Sequence, residues 1–534
     1  MRFFKFYFIG SMIFADSIEN IPFDWSGQFG YVSHNGTILW NKDWSSNQLF
    51  FDGTWAIFPR MYGPVVDKGF NQPMDDLHHK KDSSNVKSNF KYDQGDYLLD
   101  RFSFGLDYKT NSRNASLHGF KRSYVGNFNQ YNNYSFQPQQ QTYLISYRSS
   151  NDKDTGGFSL GHFNTYSGLP DSTDNGIFDN RITSKNIFWN RSYDKLDTRI
   201  TMDHFLQRYS VKHLLSEYLG TRFLTRSRYQ GEIIWKINDS KRTSISIESS
   251  NRSIRTDSLY NFQWNKLSLV YSTSVLNIYS SYLLYKNEFL FNYGMRLDKK
   301  VGIIHAYLDF RSNHYPTHPY YTIINTFDNI PSHINNISVS GSIMLAYENN
   351  QISTTVVQSK DDNTFWETII SDSIHKIKAH RMIDLNYKTS SIPFLSIEAN
   401  YRLQEPMTFY SDGIGSWIRL KIGSSLNLFN DYMLIDANID FNRLEDRHNS
   451  SLINFVEMVP MAYYEKNNLT PVDVINAKIS AHVSTFTISY EWFNLNEIIL
   501  ASMSSDNNNF FKIHPFLPSL GRQVNLSIDW KFQD

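Results

Sequence analysis

Apolar and polar residues take alternate positions along most of this chain. Successive side chains of an extended strand point to opposite faces, so such alternation sorts them into an apolar row and a polar row. The last stretch, Arg522 to Phe532, shows this most fully. Leu526, Ile528, Trp530 and Phe532 share one face, and Asn525, Ser527, Asp529 and Lys531 share the other. From Leu98 onward the pattern recurs in segments that suit tilted membrane strands of roughly 9–11 residues. Phe102, Phe104, Leu106 and Tyr108 oppose Ser103, Asp107 and Lys109, and Tyr229, Ile233, Trp235 and Ile237 oppose Arg228, Glu232 and Lys236. Leu395, Ile397, Ala399, Tyr401 and Leu403 oppose Ser396, Glu398, Asn400 and Arg402. Met433, Ile435, Ala437, Ile439 and Phe441 oppose Asp436, Asn438 and Asp440, and Phe486, Ile488, Tyr490 and Trp492 oppose Thr485, Thr487, Ser489 and Glu491.

The apolar rows of these segments are free of charge. A lysine or arginine facing lipid near mid-membrane costs roughly 2–4 kcal/mol, whereas a wet interior accepts charge freely. A soluble β-sandwich also alternates, but it seldom gathers so many aromatics on one face over so many strands. A propeller or β-helix needs an internal repeat, and the chain has none. The pattern predicts an all-β fold, a membrane-spanning antiparallel up-and-down β-barrel.

Connections give an independent reading. Short turns are expected near Tyr193-Asp194-Lys195, Asn238-Asp239-Ser240, Asp298-Lys299-Lys300, Asn349-Asn350, Ser390-Ser391, Asn430-Asp431 and Ser484. Between them fall long polar stretches: Asn313 to Ile337, Lys360 to His380, Gln404 to Gly413, Leu444 to Val474 and Asn494 to Gly521. Short periplasmic turns and long outer loops characterise bacterial outer-membrane barrels. Lys286-Asn287 breaks the rule as a short outer loop. Single-chain bacterial barrels generally have an even number of strands. The strands from Leu98 come out one short, which calls for an earlier strand, and Asn47 to Phe58 alternates suitably. The polar run Pro73 to Asp96 reads as an outer loop. The total becomes about 22, within 20–24, a size associated with plugged outer-membrane transporters.

Composition narrows the destination. The 534 residues include 34 Tyr and 40 Phe but no Cys, which excludes disulfides and thiolate metal sites. Mean hydropathy is −0.46, and no run approaches the roughly 18 apolar residues of a membrane helix. The 52 basic and 52 acidic residues balance, so nothing points to nucleic acid. Arg2 and Lys5, the apolar stretch Phe6 to Phe14, and Ala15 before Asp16 read as a secretory signal. The expected organisation is a signal peptide (1–15), a short periplasmic segment (16–45) and an outer-membrane barrel (46–534).

The terminal stretch also resembles the closing strand of TonB-dependent receptors. Gly521-Arg522 precedes the alternating row, Trp530-Lys531-Phe532 supplies the final aromatic pair, and Trp492-Phe493-Asn494-Leu495-Asn496 resembles the asparagine-leucine segment that comes before it. The sequence departs from that pattern at Leu520, where the family has proline, at Ser527, where it has glycine, and at Gln533-Asp534 beyond the terminal aromatic. The resemblance implies that Gly521, Arg522, Leu526, Ile528, Trp530 and Phe532 form a closure and assembly signal for the barrel-assembly machinery. It also implies a globular plug ahead of the barrel. The stretch between Asp16 and Asn47 is too short for one without a staple, and no energy-coupling box is evident. The expectation is a receptor-type barrel without its plug.

Chemistry is sparse. His314-Tyr-Pro-Thr-His318 carries two imidazoles, but Pro316 and Pro319 exclude the helix that would aim both at one metal. They read as loop residues, as do His78-His79. No nucleophile elbow, Walker loop or His-Glu-x-x-His motif is present, so no enzyme, metal or cofactor is expected. What remains is the inward row: Arg228, Glu232, Lys236, Glu398, Arg402, Trp417, Arg419, Lys421, Asp436, Asp440, Asp529 and Lys531. These would pair across strands or set solute preference. Both signs are represented, so no strong charge selectivity is expected. Trp417 would stack on a sugar ring or simply fill space.

The expected function is an outer-membrane channel or transport component for small or medium polar solutes, in contact with outer-membrane lipid. The alternative is a non-conducting surface protein whose loops bind a partner or polymer. A secreted soluble all-β enzyme is a third reading.

Overall fold

The computed structural model describes residues 18–22, 30–34, 37–39, 85–123, 139–168, 177–212, 220–238, 240–255, 257–316, 332–361, 380–404, 416–430, 432–454, 459–469, 471–497 and 522–533. Three short strands, β1 (Ile18–Pro22), β2 (Gly30–His34) and β3 (Thr37–Leu39), form an antiparallel sheet of their own. Then come β4 (Asn85–Gly95), β5 (Leu99–Lys109), β6 (Arg113–Ser123), β7 (Gln139–Ser150), β8 (Asp154–Gly168), β9 (Ile177–Ser192) and β10 (Leu196–Lys212). These are followed by β11 (Gly220–Asn238), β12 (Lys241–Arg255), β13 (Leu259–Ser272), β14 (Leu276–Tyr285), β15 (Glu288–Val301), β16 (Ile304–Pro316) and β17 (His333–Tyr347). The chain continues through β18 (Asn350–Asp361), β19 (His380–Thr389), β20 (Leu395–Gln404), β21 (Ser416–Leu428) and β22 (Met433–Glu445). It ends with β23 (Arg447–Asn454), β24 (Val459–Leu469), β25 (Val472–Val483), β26 (Phe486–Phe493) and β27 (Gln523–Gln533).

Strands β4 to β22 and β25 to β27 pair in chain order, each antiparallel to the next, and β27 returns to β4. The result is a closed antiparallel barrel of 22 strands, as the alternation predicted. Closure satisfies every edge, which an open sheet in lipid could not do. β23 and β24 pair only with each other, as a hairpin within the connection between β22 and β25.

The apolar rows form an exposed outer belt. Trp235, Ile245, Ile247 and Tyr282 are each more than half exposed, while Ser250 and Asp203 on the opposite face are buried. Rows that met in a core would show the reverse. Charge on the belt is therefore expected to be costly. Ile245→Arg should destabilise the folded barrel by about 2–4 kcal/mol, whereas Ser246→Arg on the wet face should be nearly neutral. Urea unfolding followed by the mobility of unboiled protein in gels measures both. Equal costs would contradict the assignment of faces.

Two expectations need correction. The first barrel strand is Asn85–Gly95, not Asn47 to Phe58, which lies outside the described residues. The polar run Pro73 to Asp96, read as an outer loop, therefore ends in a strand. Its outer row, Val86, Ser88, Phe90 and Tyr92, is interrupted by a serine, and most of its other residues are polar. The segment ahead of the barrel accordingly runs to residue 84. The turn expected at Asp298-Lys299-Lys300 falls at residues 302–303, because Lys299 and Lys300 still pair with Ala306 and His305. Gly302, at φ +58°, takes the left-handed position that glycine adopts without a steric penalty.

The other short turns fall within a residue of the expected positions; Asn350 and Asn238 still pair, with Tyr347 and Lys241. At Lys286-Asn287 both residues have positive φ (48° and 65°), the signature of a two-residue hairpin whose twist matches its strands. Asn151 accepts the backbone N–H groups of Lys153 and Asp154 (2.9 and 2.6 Å), and Thr273 does the same for Val275 and Leu276 (3.2 and 2.8 Å). Such local acceptors hold tight turns without long-range help.

Candidate functional site

The inner face of the barrel is the place where this chain could select a solute, and its polar side chains are cross-linked between strands. Parity places all twelve inward candidates on this face. Arg228 Nε donates to Asp203 Oδ2 at 2.6 Å, and Asn186 Nδ2 donates to Asp203 Oδ1 at 2.5 Å, joining β9, β10 and β11. Further along the same strands Arg199 meets Glu232 at 3.5 Å and Lys236 meets Asp197 at 2.8 Å.

A longer network crosses β19 to β22. Asp384 accepts Asn400 at 2.6 Å and lies 3.6 Å from Arg402. The Arg402 guanidinium sits 5.1 Å from the centre of the Trp417 ring, a cation–π arrangement. Trp417 donates its indole N–H to Asn442 at 3.1 Å, and Asn442 donates to Asp440 at 3.2 Å. Arg419 grips Asp440 with two hydrogen bonds, at 3.1 and 2.9 Å. Trp417 thus presents a ring face to a cation of the wall itself. Glu398 and Lys421 are register partners on β20 and β21. Asp436 meets His482 at 2.9 Å, and Lys478 meets Glu491 at 2.6 Å. Asp529 and Lys531 lie on β27 opposite Lys91 and Asn89 of β4.

Sequence reasoning missed Asp203, Asn186, Asp384, Asn442, His482 and Lys478, and placed Glu491 in a polar row without singling it out. Each occupies the polar row of its strand, so parity would have found it. The identity of its partner would not have followed, because register across strands is not a local property.

The seam between β27 and β4 is the second feature. Asp93 is almost fully buried on the inner face and accepts Arg101 Nε at 2.6 Å, with Lys91 at 3.6 Å. At the end of the seam Asp96 N–H donates to the Val524 carbonyl at 3.0 Å, and Val524 N–H donates to Asp96 Oδ2 at 2.9 Å. Tyr97 Oη donates to the Arg522 carbonyl at 2.5 Å, and Arg522 N–H donates to Glu497. Burial, and then the Glu497 and Asp96 carboxylates, raise the Tyr97 phenol above its ordinary value, so the hydroxyl keeps its proton. Leu526, Trp530 and Phe532 face outward and exposed on β27, with Ile528 in the same row, and Arg522 lies just before the strand. Gly521 lies outside the described residues.

The Asn494-Leu495-Asn496 segment has a clear local role. Asn494, at φ +56°, turns the chain out of β26. Leu495 N–H then donates to the Ile475 carbonyl at 2.8 Å, while Asn496 accepts Ile475 N–H at 3.0 Å and donates to the Asp473 carbonyl at 2.6 Å. The asparagine side chain continues the pairing of β25 after β26 has ended.

Of the imidazoles singled out by sequence, His314 lies in β16, not in a loop, with Nδ1 3.1 Å from Asn292 Oδ1 and its ring 5.4 Å from that of His333. His78, His79 and His318 lie outside the described residues. Among the described residues no cluster of three or more His, Asp or Glu side chains forms a metal site.

A closed 22-strand barrel with an apolar exterior and a charged inner wall is a transmembrane barrel of the outer-membrane type. Its fold is that of the TonB-dependent receptor barrels. It is similar to the siderophore receptor PirA from Acinetobacter baumannii, with a TM-score of 0.63 and 7% identity over 85% of this chain and 81% of that one. It is also similar to the FrpB iron transporter from Neisseria meningitidis (TM-score 0.60, 7% identity, 84% of this chain and 82% of that one). The alcaligin outer-membrane receptor FauA from Bordetella pertussis matches with a TM-score of 0.54 and 11% identity over 85% of this chain and 77% of that one. No family model and no curated protein matches the chain in sequence.

Proposed function

We propose that this protein is an outer-membrane barrel of the receptor type that takes up small or medium polar solutes, selecting them by its inner wall and outer loops without covalent chemistry. The observation that carries the reading is the inner wall, whose two signs of charge are tied together between strands on a barrel with the receptor fold. In this reading the basic, apolar and small-residue start of the chain exports it, and β27 presents the assembly signal. The absence of a plug, expected from the length of the segment ahead of the barrel and from the lack of an evident energy-coupling box, is not part of the reading.

Paired wall charges predict weak ion preference. Planar-bilayer recordings should show conductance with a cation-to-anion permeability ratio near one. Asp440→Asn, which leaves Arg419 without its carboxylate, should shift that ratio toward anions. Uptake of polar solutes in liposome-swelling assays tests transport itself. A barrel that inserts but neither conducts nor swells favours the second reading, a blocked surface protein. The separate hairpin β23–β24 in the connection between β22 and β25 is the observation on that side, as a ready-made surface for a partner.

A further inference from the structure

The outer face of β8, β9 and β10 changes chemistry partway along. These strands have 15, 16 and 17 residues, more than the roughly 9–11 that crossing requires. Ile187, Trp189, Ile200 and Met202 belong to the exposed apolar belt. The next outward pair in the register is Lys185 with His204, then Thr183 with Leu206, then Arg181 with Arg208, then Asp179 with Ser210, and last Ile177 with Lys212. His162 of β8 pairs with Thr183 in the same field and is exposed.

Two guanidiniums directly opposite each other repel. Here one carboxylate bridges them: Arg181 donates to Asp179 at 3.1 and 3.2 Å, and Arg208 donates to it at 3.3 Å. That leaves the trio with a surplus positive charge, and among the described residues Lys185 has no anionic partner. One outward arginine on another strand has the opposite balance. Arg443, on the outward row of β22, is held by two carboxylates, Asp473 at 3.1 Å and Glu445.

Height along the strand supplies the second observation. Leu206 is an exposed apolar residue one outward step below Arg208, about 7 Å along the strand. The guanidinium pair therefore stands one step beyond the last apolar residue of the outward row of β10. Lys185 stands between Leu160 of β8 and His204 of β10, two outward steps or about 13 Å along the strand below Arg181, and its stem carries the ammonium part of the way toward that level. Arginine pairs with phosphate through two parallel charge-assisted hydrogen bonds, and lysine as a point charge.

We propose that Arg181, Arg208 and Lys185 seat the phosphate-bearing headgroup of an outer-leaflet lipid, whose acyl chains lie along Ile187, Trp189, Ile200 and Met202. The proposal rests on the outer-membrane reading above. Asp179 orders the two guanidiniums and moderates their charge.

The test uses the full chain folded in neutral detergent, with native mass spectrometry counting the lipids retained. The probes are diphosphorylated lipid A, the same lipid with its phosphates removed, and inorganic phosphate. Wild type should retain the phosphorylated lipid preferentially. The triple variant Arg181→Gln, Lys185→Gln, Arg208→Gln should bind it about tenfold to a hundredfold more weakly. Lys185→Arg should bind as wild type, and Asp179→Asn should bind more tightly, a gain that structural damage would not produce. Equal binding by the triple variant, equal binding of the dephosphorylated lipid, or competition by inorganic phosphate at matched concentration would each overturn the proposal. The heat-dependent gel mobility and membrane fractionation of wild type are read separately. Their failure would remove the membrane reading, whereas a sound barrel that ignores the phosphorylated lipid removes only this site.

Discussion

Asp203→Ala should destabilise the barrel by about 3–5 kcal/mol, although the residue lies far from either chain end. Asp203 is 2% exposed and accepts hydrogen bonds from Asn186 on one neighbouring strand and Arg228 on the other. The Arg228 side chain is itself only 12% exposed. Deleting the carboxylate would leave a guanidinium out of water with no counter-charge, which costs more than the intact pair contributes. Replacing both partners removes the orphan. The double variant Asp203→Leu, Arg228→Met should therefore lose much less stability than Asp203→Ala alone. Urea unfolding of the three proteins in the same lipid, followed by gel mobility without boiling, decides the point. A double variant as unstable as the single one would mean that the strands need this pair itself.

Gly95→Val should fail to close the barrel. Gly95 pairs with Asn525 at the end of the β4–β27 ladder, and a Cβ built on it would lie 2.5 Å from the Val524 carbonyl oxygen and overlap the Asn525 side chain. A backbone carbonyl held in the seam cannot yield as a flexible side chain would. The expected cost is about 3 kcal/mol, the upper end for overpacking, and it falls where the first and last strands must meet. Asn525→Ala should restore part of the folded population by removing one of the two clashes. Gly231→Ala is the control, since a Cβ there meets nothing within 4 Å and should change stability by less than about 0.5 kcal/mol. The fraction migrating as compact unboiled protein measures all three. Normal closure by the valine variant would show that the seam can shift its register.

Much of this architecture was legible in the residues. The alternation in the last strand, repeated from Leu98 onward, marked an outer and an inner face. All twelve inward candidates fall on the inner row. The strand Asn85–Gly95 was not legible, because its outer row holds Ser88 between Val86 and Phe90 and the run around it is polar. What makes it a strand is β27, which lies more than 400 residues away along the chain and satisfies its backbone. The basic outward residues of β9 and β10 escaped for a related reason. A row that begins Trp189 and Ile187 and continues through Lys185 to Arg181 looks like broken alternation, until its height above the belt is known. The turn at Gly302 was readable, since the glycine stands among residues that do not favour positive φ, but the charged triplet before it looked the more turn-like.

By itself the sequence determined which side chains face together, because the two-residue period of an extended chain is local and needs no partner. It also determined that one face would be oily and the other wet. Only the tertiary structure decided which strand completes the ring, and that Arg402 lies over Trp417 while Arg228 reaches Asp203. Those facts depend on register between segments distant along the chain, which is set when the ring closes and every backbone edge must be paired at once.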